Sequence, residues 1–188
     1  MTRVDPHEIR KLGETQTVEF KKSLGLQKEA FRDLCGMVNS ESATGTLLFG
    51  VSPDGSINGI EPGNLDSIQK TLIQKVHQLF DPPIIPIVEV LECDDRQLIR
   101  LKADRASGVP YHECDGRAYI REGSATRRLS YREKQQLSKK RDRDQHSGPW
   151  RCDRCGGVVG TLSMMTITDE GVYKSYACRC GGEYWPVS

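Results

Sequence analysis

The chain has 188 residues, long enough for one well-cored domain and a small second unit. Its 36% hydrophobic and 28% charged residues are an ordinary balance for an intracellular protein, and its net charge of +1 excludes no class of partner. The first residues lack the apolar stretch of a signal peptide and no run is long enough to span a bilayer, so the expected location is cytoplasmic, away from membranes.

In chain order, Asp5 caps a predicted helix to Leu12 with Pro6 just inside it, and Gly13 ends it. Thr17 to Lys22 reads as a brief strand. Phe31, Leu34, Cys35 and Val38 share one face of a helix over 27–38, and the run Thr46-Leu-Leu-Phe-Gly-Val51, apolar on both faces, reads as a central strand. Ser52-Pro-Asp-Gly55 is a turn, with a short returning strand expected over 56–60. Asn64 caps a helix over 65–80 whose apolar stripe includes Leu72 and Val76, and Asp81-Pro-Pro83 stops it. Two hairpins follow. One pairs 86–91 with 98–103; the other pairs Val109–Cys114 with Arg117–Arg121 around Asp115-Gly116. A polar helix from Ser130 to about Arg143 closes the domain. Strands and helices intermix without regular βαβ alternation, which predicts an α+β fold with a mixed sheet.

From Arg127 to Gln145 there are eight Lys or Arg against three Asp or Glu, a local +5. It is either a solvated helix face or a surface for phosphates, and Arg127 and Arg128 open it. Residues 141–149 read as a linker.

Seven cysteines are not distributed as a disulfide framework. Cys152 and Cys155 form one close pair and Cys178 and Cys180 another, each followed by glycines, with 22 residues between the pairs. That is the sequence form of a zinc ribbon over 150–188, although the second pair is C-x-C. Four thiolates at about 2.3 Å would close a tetrahedral shell around a structural Zn²⁺. So small a unit would draw much of its stability from the metal. A redox pair is the competing reading of either doublet alone.

Between Gly13 and Gly59 lies the stretch with chemistry in it. Glu14 and Glu19 are hard-oxygen ligands of the kind Mg²⁺ or Mn²⁺ takes. Such an ion polarises a phosphodiester and activates water or an RNA 2′-hydroxyl. Lys21 or Lys22 would then stabilise charge on the phosphate. On one straight strand the two glutamates would stand about 16 Å apart on opposite faces, so sharing an ion requires a bend at Gly13. The alternative is two surface glutamates flanking an edge strand. No P-loop sequence is present, and Gly45 and Gly50 frame a strand, where they permit close packing. His7, His77, His112 and His146 have no partner at ligand spacing and read as structural or surface residues.

These stretches resemble the Schlafen-type AlbA-like family, once described as divergent AAA. The matching runs are Glu14-Thr-Gln-Thr-Val-Glu-Phe-Lys-Lys-Ser23, Val38-Asn39-Ser40 leading to Gly45-Thr-Leu-Leu-Phe-Gly-Val51, Asp54-Gly55-Ser-Ile-Asn-Gly59, Val109-Pro110-Tyr111 and Ala118-Tyr-Ile-Arg-Glu-Gly-Ser124. The resemblance covers about residues 6–137, giving a domain at 6–140. It implies nucleic-acid association, with Lys21, Lys22, Arg121, Arg127 and Arg128 as contacts. In the Schlafen branch it implies a metal-dependent endoribonuclease acting on structured RNA such as tRNA, with RNA favoured over DNA. The branch's two glutamates match Glu14 and Glu19. Its third carboxylate falls at Ser52, with Asp54 two residues on, and its paired glycines are reduced to Thr44-Gly45. Two facing lobes in that branch imply a homodimer for a single-lobed chain. The alternative is a non-catalytic DNA-binding, regulatory or protein-interaction module.

Overall fold

The computed structural model describes residues 2–61, 63–146, 150–152, 154–155, 158–159, 166–168, 171–173 and 184–186. The chain divides into two compact units, Met1–Gln135 and Gln136–Ser188.

The first unit is built on a five-stranded mixed sheet. Its strands are β1 (Thr2–Arg3), β2 (Val18–Lys21), β3 (Thr44–Phe49), β5 (Ile87–Cys93) and β6 (Arg96–Asp104), in the order β1-β5-β6-β3-β2. β1 runs parallel to β5 and β2 parallel to β3, while β6 is antiparallel to both neighbours. The unit's helices are α1 (Pro6–Leu12), α2 (Gln27–Asn39) and α3 (Leu65–Leu79), and α4 (Tyr131–His146) begins in it and continues past Gln135 into the second unit. The α+β class expected from the sequence is the class observed.

Side chains alternate across the sheet, so its two faces carry two cores. On one face Leu47, Phe49, Ile99 and Leu101 meet Phe31, Leu34 and Val38 of α2 and Leu72 and Val76 of α3, all fully or almost fully buried. On the other, Val18, Phe20, Leu48, Leu91 and Leu98 meet Ile9 of α1. α2 lies against β3 because Gly45 has no side chain: a β-carbon there would stand 2.9 Å from Leu34 Cδ1 and from Met37 Cβ. The caps follow the sequence. Asp5 accepts from the His7 N–H and Asn64 from the Ser67 N–H.

Two expectations are corrected. Residues 56–60 form no strand, and the return after the turn is a single bridge between Val51 and Ile57. The hairpin around Asp115-Gly116 closes only at a Cys114–Arg117 bridge. Before that bridge, Asn39 claims the backbone: its side chain donates to the His112 carbonyl (2.8 Å) and accepts from the His112 N–H (2.8 Å). β7 (Glu113–Cys114) pairs instead with β4 (Phe80–Asp81), which follows α3. The extended hairpin lies one turn later, β8 (Tyr119–Glu122) with β9 (Ala125–Arg128), and packs against α2. Gly123, at φ +60°, makes that turn.

In the second unit β10 (Trp150–Cys152) pairs antiparallel with both β11 (Val158–Val159) and β14 (Tyr184–Pro186), and β12 (Thr166–Thr168) with β13 (Gly171–Tyr173). Cys152 ends β10 and Cys155 is an exposed turn residue after it. Cys178 and Cys180 lie outside the described residues.

Candidate functional site

β2 has only four residues, all buried, and two of them are charged. Alternation sends Val18 and Phe20 toward α1, and Glu19 and Lys21 toward α2. There the Lys21 ammonium meets three carboxylates: Glu19 Oε1 at 2.7 Å, Glu29 Oε1 at 2.8 Å and Asp33 Oδ2 at 2.9 Å. The Lys21 side chain is 5% exposed, and its hydrogen bonds to Glu19, Glu29 and Asp33 hold its pKa above the ordinary 10.5 against the opposing pull of burial. Arg121 of β8, 1% exposed, completes the cluster. Its guanidinium donates to Glu19 Oε2 and to the Thr15 carbonyl (3.1 Å), and lies 3.8 Å from Asp33 Oδ1.

Thus Glu19 has both carboxylate oxygens engaged by cations, and Lys21 and Arg121 are enclosed rather than presented to a ligand. Asp33 and Glu29 belong to the same cluster and were not singled out from the sequence. The signal for Asp33 was available, since it sits between Phe31 and Leu34 on the apolar side of its helix, where a carboxylate needs a partner.

The chain does bend at Gly13, which has φ +57°. The bend returns Glu14 to the outer edge of β2, where its Oε1 accepts the Phe20 N–H at 3.2 Å. Glu14 therefore covers a backbone donor that an edge strand would leave open. Partial burial, followed by the negative charge of Glu19, raises its carboxyl above the usual 4.5.

Asp54 lies elsewhere. Its carboxylate accepts the Ser56 N–H (2.9 Å) inside the turn after β3, and this bond lowers its pKa. Ser52, in the place expected for a carboxylate, donates to Asn58 Oδ1. Among the described residues, no group of three or more His, Cys, Asp or Glu is arranged to hold a metal ion. Glu14 and Glu19 are close enough for their charges to interact, whereas the Asp54 carboxylate is turned into its own loop.

The remaining candidates separate by environment. Lys22 and Arg128 are exposed and have no ion-pair partner among the described residues. Arg127 is held between Glu122 (2.6 Å) and Glu133 (2.7 Å). Glu133 also accepts from Ser130 N and Oγ in a capping box that starts α4. Its carboxyl is pulled down to about 2, by Arg127 first.

A mixed sheet with α1 on one face and α2 and α3 on the other, a β8–β9 hairpin against α2, and a buried acid–base cluster under that hairpin define an AlbA-like α+β domain. The chain belongs to the Schlafen AlbA_2 family, whose match spans residues 14–130. Among solved structures it is similar to the DIP2311 protein of Corynebacterium diphtheriae, with 16% identity and a TM-score of 0.50 over 72% of this chain. That alignment spans 26% of the other chain's length. It is also similar to the N-terminal domain of a protein from Nitrosomonas europaea described as related to the ATP-dependent DNA helicase RecG. There the identity is 18% and the TM-score 0.47, over 66% of this chain and 90% of that one. No curated protein matches the chain. No helix among the described residues is long and apolar enough to cross a membrane.

Removing Arg121 leaves Glu19 and Asp33 buried with Lys21 alone. Arg121→Met should cost about 3–5 kcal/mol of unfolding free energy in denaturant titration, and Glu19→Gln in the same chain should recover part of that loss. Glu14 works in the opposite sense. Its folded pKa lies above the unfolded value, so its ionised form penalises the native state at neutral pH, and the penalty fades as pH falls through the folded pKa and is gone below the usual 4.5. Glu14→Gln keeps an acceptor for the Phe20 N–H. It should raise the melting temperature at pH 7, with the gain vanishing near pH 4.

Proposed function

We propose that the first unit binds nucleic acid, RNA in preference to DNA, through cations on its surface rather than through the buried cluster. The carrying observation is the division of the basic residues. Lys21 and Arg121 are neutralised inside, while Lys22, the residue after β2, and Arg128, on the other strand of the Arg121 hairpin, are exposed without carboxylate partners. Lys28 and Arg32, one turn apart on α2, and Arg117, bridged to Cys114, are exposed and unpaired in the same way. Unpaired cations on a rigid layer suit phosphates, and membership of the Schlafen AlbA_2 family supports the nucleic-acid reading.

Endoribonucleolytic cleavage is a second reading with one observation in its favour. The Glu14 carboxyl is partly exposed and stands near Glu19, and partial burial raises its pKa above the usual 4.5, the direction a general acid or base needs. Lys21 and Arg121 would act only by holding Glu19 beside it.

For the second unit we propose a structural Zn²⁺ on Cys152, Cys155, Cys178 and Cys180. In support, the first pair falls at the end of β10 and in the turn after it, the strand-end placement that a zinc ribbon uses. Homodimerisation, which would bring two such domains to one RNA, belongs to the same proposal.

Binding of a tRNA pool in a gel-shift assay should weaken with rising salt. Lys22→Ala and Arg128→Ala should each weaken it and each flatten the log K against log[salt] slope by about one. Unchanged binding and slope in both variants would remove this surface. In the same mixtures, with Mg²⁺, Mn²⁺ or chelator, cleavage that is absent under every condition, or that survives Glu14→Ala, would remove the second reading. Metal analysis of the purified chain should return one zinc per chain, lost in Cys152→Ser.

A further inference from the structure

α1 covers only part of its face of the sheet. Beside it lies an open cleft of about 360 Å³. Its walls are aliphatic: Ile9 and Leu12 from the helix, Val18, Leu48 and Leu91 from the sheet. Its polar groups are Glu8, Thr46, Arg100 and Lys102. Arg100 is paired with Glu89 through Nε and a terminal nitrogen, both at 2.8 Å. Glu8 and Lys102 are different. Both are exposed, both line the cleft, and neither has a side-chain hydrogen bond or ion pair among the described residues. Register places Lys102 beside Thr46 on β3 and Ile87 on β5, whereas Glu8 projects from α1.

The cleft thus joins an unpaired cation on the sheet, an unpaired carboxylate on the helix and an apolar slot with walls on both sides. A fatty acid would satisfy the walls and Lys102 but leave Glu8 without a donor. A nucleotide meets all three. Its base is a flat apolar slab, its phosphate takes an ammonium, and its ring edge offers N–H groups to a carboxylate. Guanine suits Glu8 best, because N1–H and the exocyclic amine donate side by side to the two carboxylate oxygens. The volume lies at the small end of ligand pockets, about 300–1,000 Å³, which favours one nucleotide over a length of strand.

We propose that this cleft is a nucleotide subsite that takes one guanine nucleotide, with the base between α1 and the sheet, its N–H edge on Glu8 and its phosphate on Lys102. As a place where RNA inserts an unpaired guanine, the subsite rests on the nucleic-acid reading above; as a site for a free nucleotide it stands alone. The contacts are the same in both cases. Lys22 and Arg128 do not line the cleft, so each surface can be removed by its own substitutions.

The test titrates the full chain with GMP, UMP and guanosine by NMR, then with short single-stranded RNAs that contain or lack guanine. GMP should bind saturably, more tightly than UMP, with shifts centred on Glu8, Thr46 and Lys102. Lys102→Ala should weaken GMP about tenfold and leave guanosine unchanged, and Glu8→Gln should abolish the preference for GMP over UMP. Both side chains are exposed, so unchanged melting temperatures will certify the fold. Lys22→Ala should leave GMP binding intact. Preference for guanine-containing RNA, lost in Glu8→Gln, assigns the subsite to RNA; GMP binding without that preference assigns it to the free nucleotide. Absence of saturable GMP binding, or GMP binding indifferent to both substitutions, overturns the inference, and tRNA binding that persists in that case leaves the broader proposal standing.

Discussion

The first unit depends on one interaction, the ion cluster of Glu19, Lys21, Asp33 and Arg121. It joins an edge strand, a helix and a hairpin, and its longest link, Glu19 to Arg121, spans 102 residues of sequence. Removing such charges from water costs several kcal/mol each, a cost offset only if every group finds its complement. Here every group does: no buried side-chain nitrogen or oxygen among the described residues lacks a partner. A hairpin docked on α2 by apolar contact alone could slide. One whose arginine must meet two carboxylates can sit in only one place.

The cluster also sorts the basic residues of the molecule. Lys21 and Lys22 are adjacent, yet strand alternation directs the first into three carboxylates and the second into water. Arg121 and Arg128 face opposite fates within one hairpin. Only the outward members are available to phosphate. The same geometry separates the carboxylates: Glu19 is saturated by cations, Glu14 covers the edge of β2, and Asp54 stabilises its own turn. Two of the three acids are near neighbours, but their hydrogen bonds direct each to a different structural task.

The sheet's two faces differ in how fully they are covered. α2 and α3, with 13 and 15 residues, close one face, while α1, with seven, leaves part of the other open. The cleft is a direct result of that shortness. Pro6 and Gly13 bracket the helix and keep it to about two turns. Ile87 remains 62% exposed at that open end.

Much of this was written in local sequence. Asp5 and Asn64 cap the helices they were expected to cap, Gly13 ends α1, and the apolar stripe of α3 turns Leu72 and Val76 inward. Each of these is a contest between neighbours within a few residues, so the sequence by itself determines it. The α+β class follows from the order of such elements. Only the tertiary structure decided the hairpin. Asp115-Gly116 has the composition of a hairpin turn and both residues adopt positive φ, yet Asn39, 73 residues upstream, takes the His112 backbone and stops the ladder. The environments of Lys21 and Arg121 were decided the same way. They were expected as phosphate contacts, but a cation's availability depends on which carboxylates the fold brings to it: Glu29 and Asp33 of α2 close over Lys21, and Glu19 of β2, 102 residues away in sequence, holds Arg121.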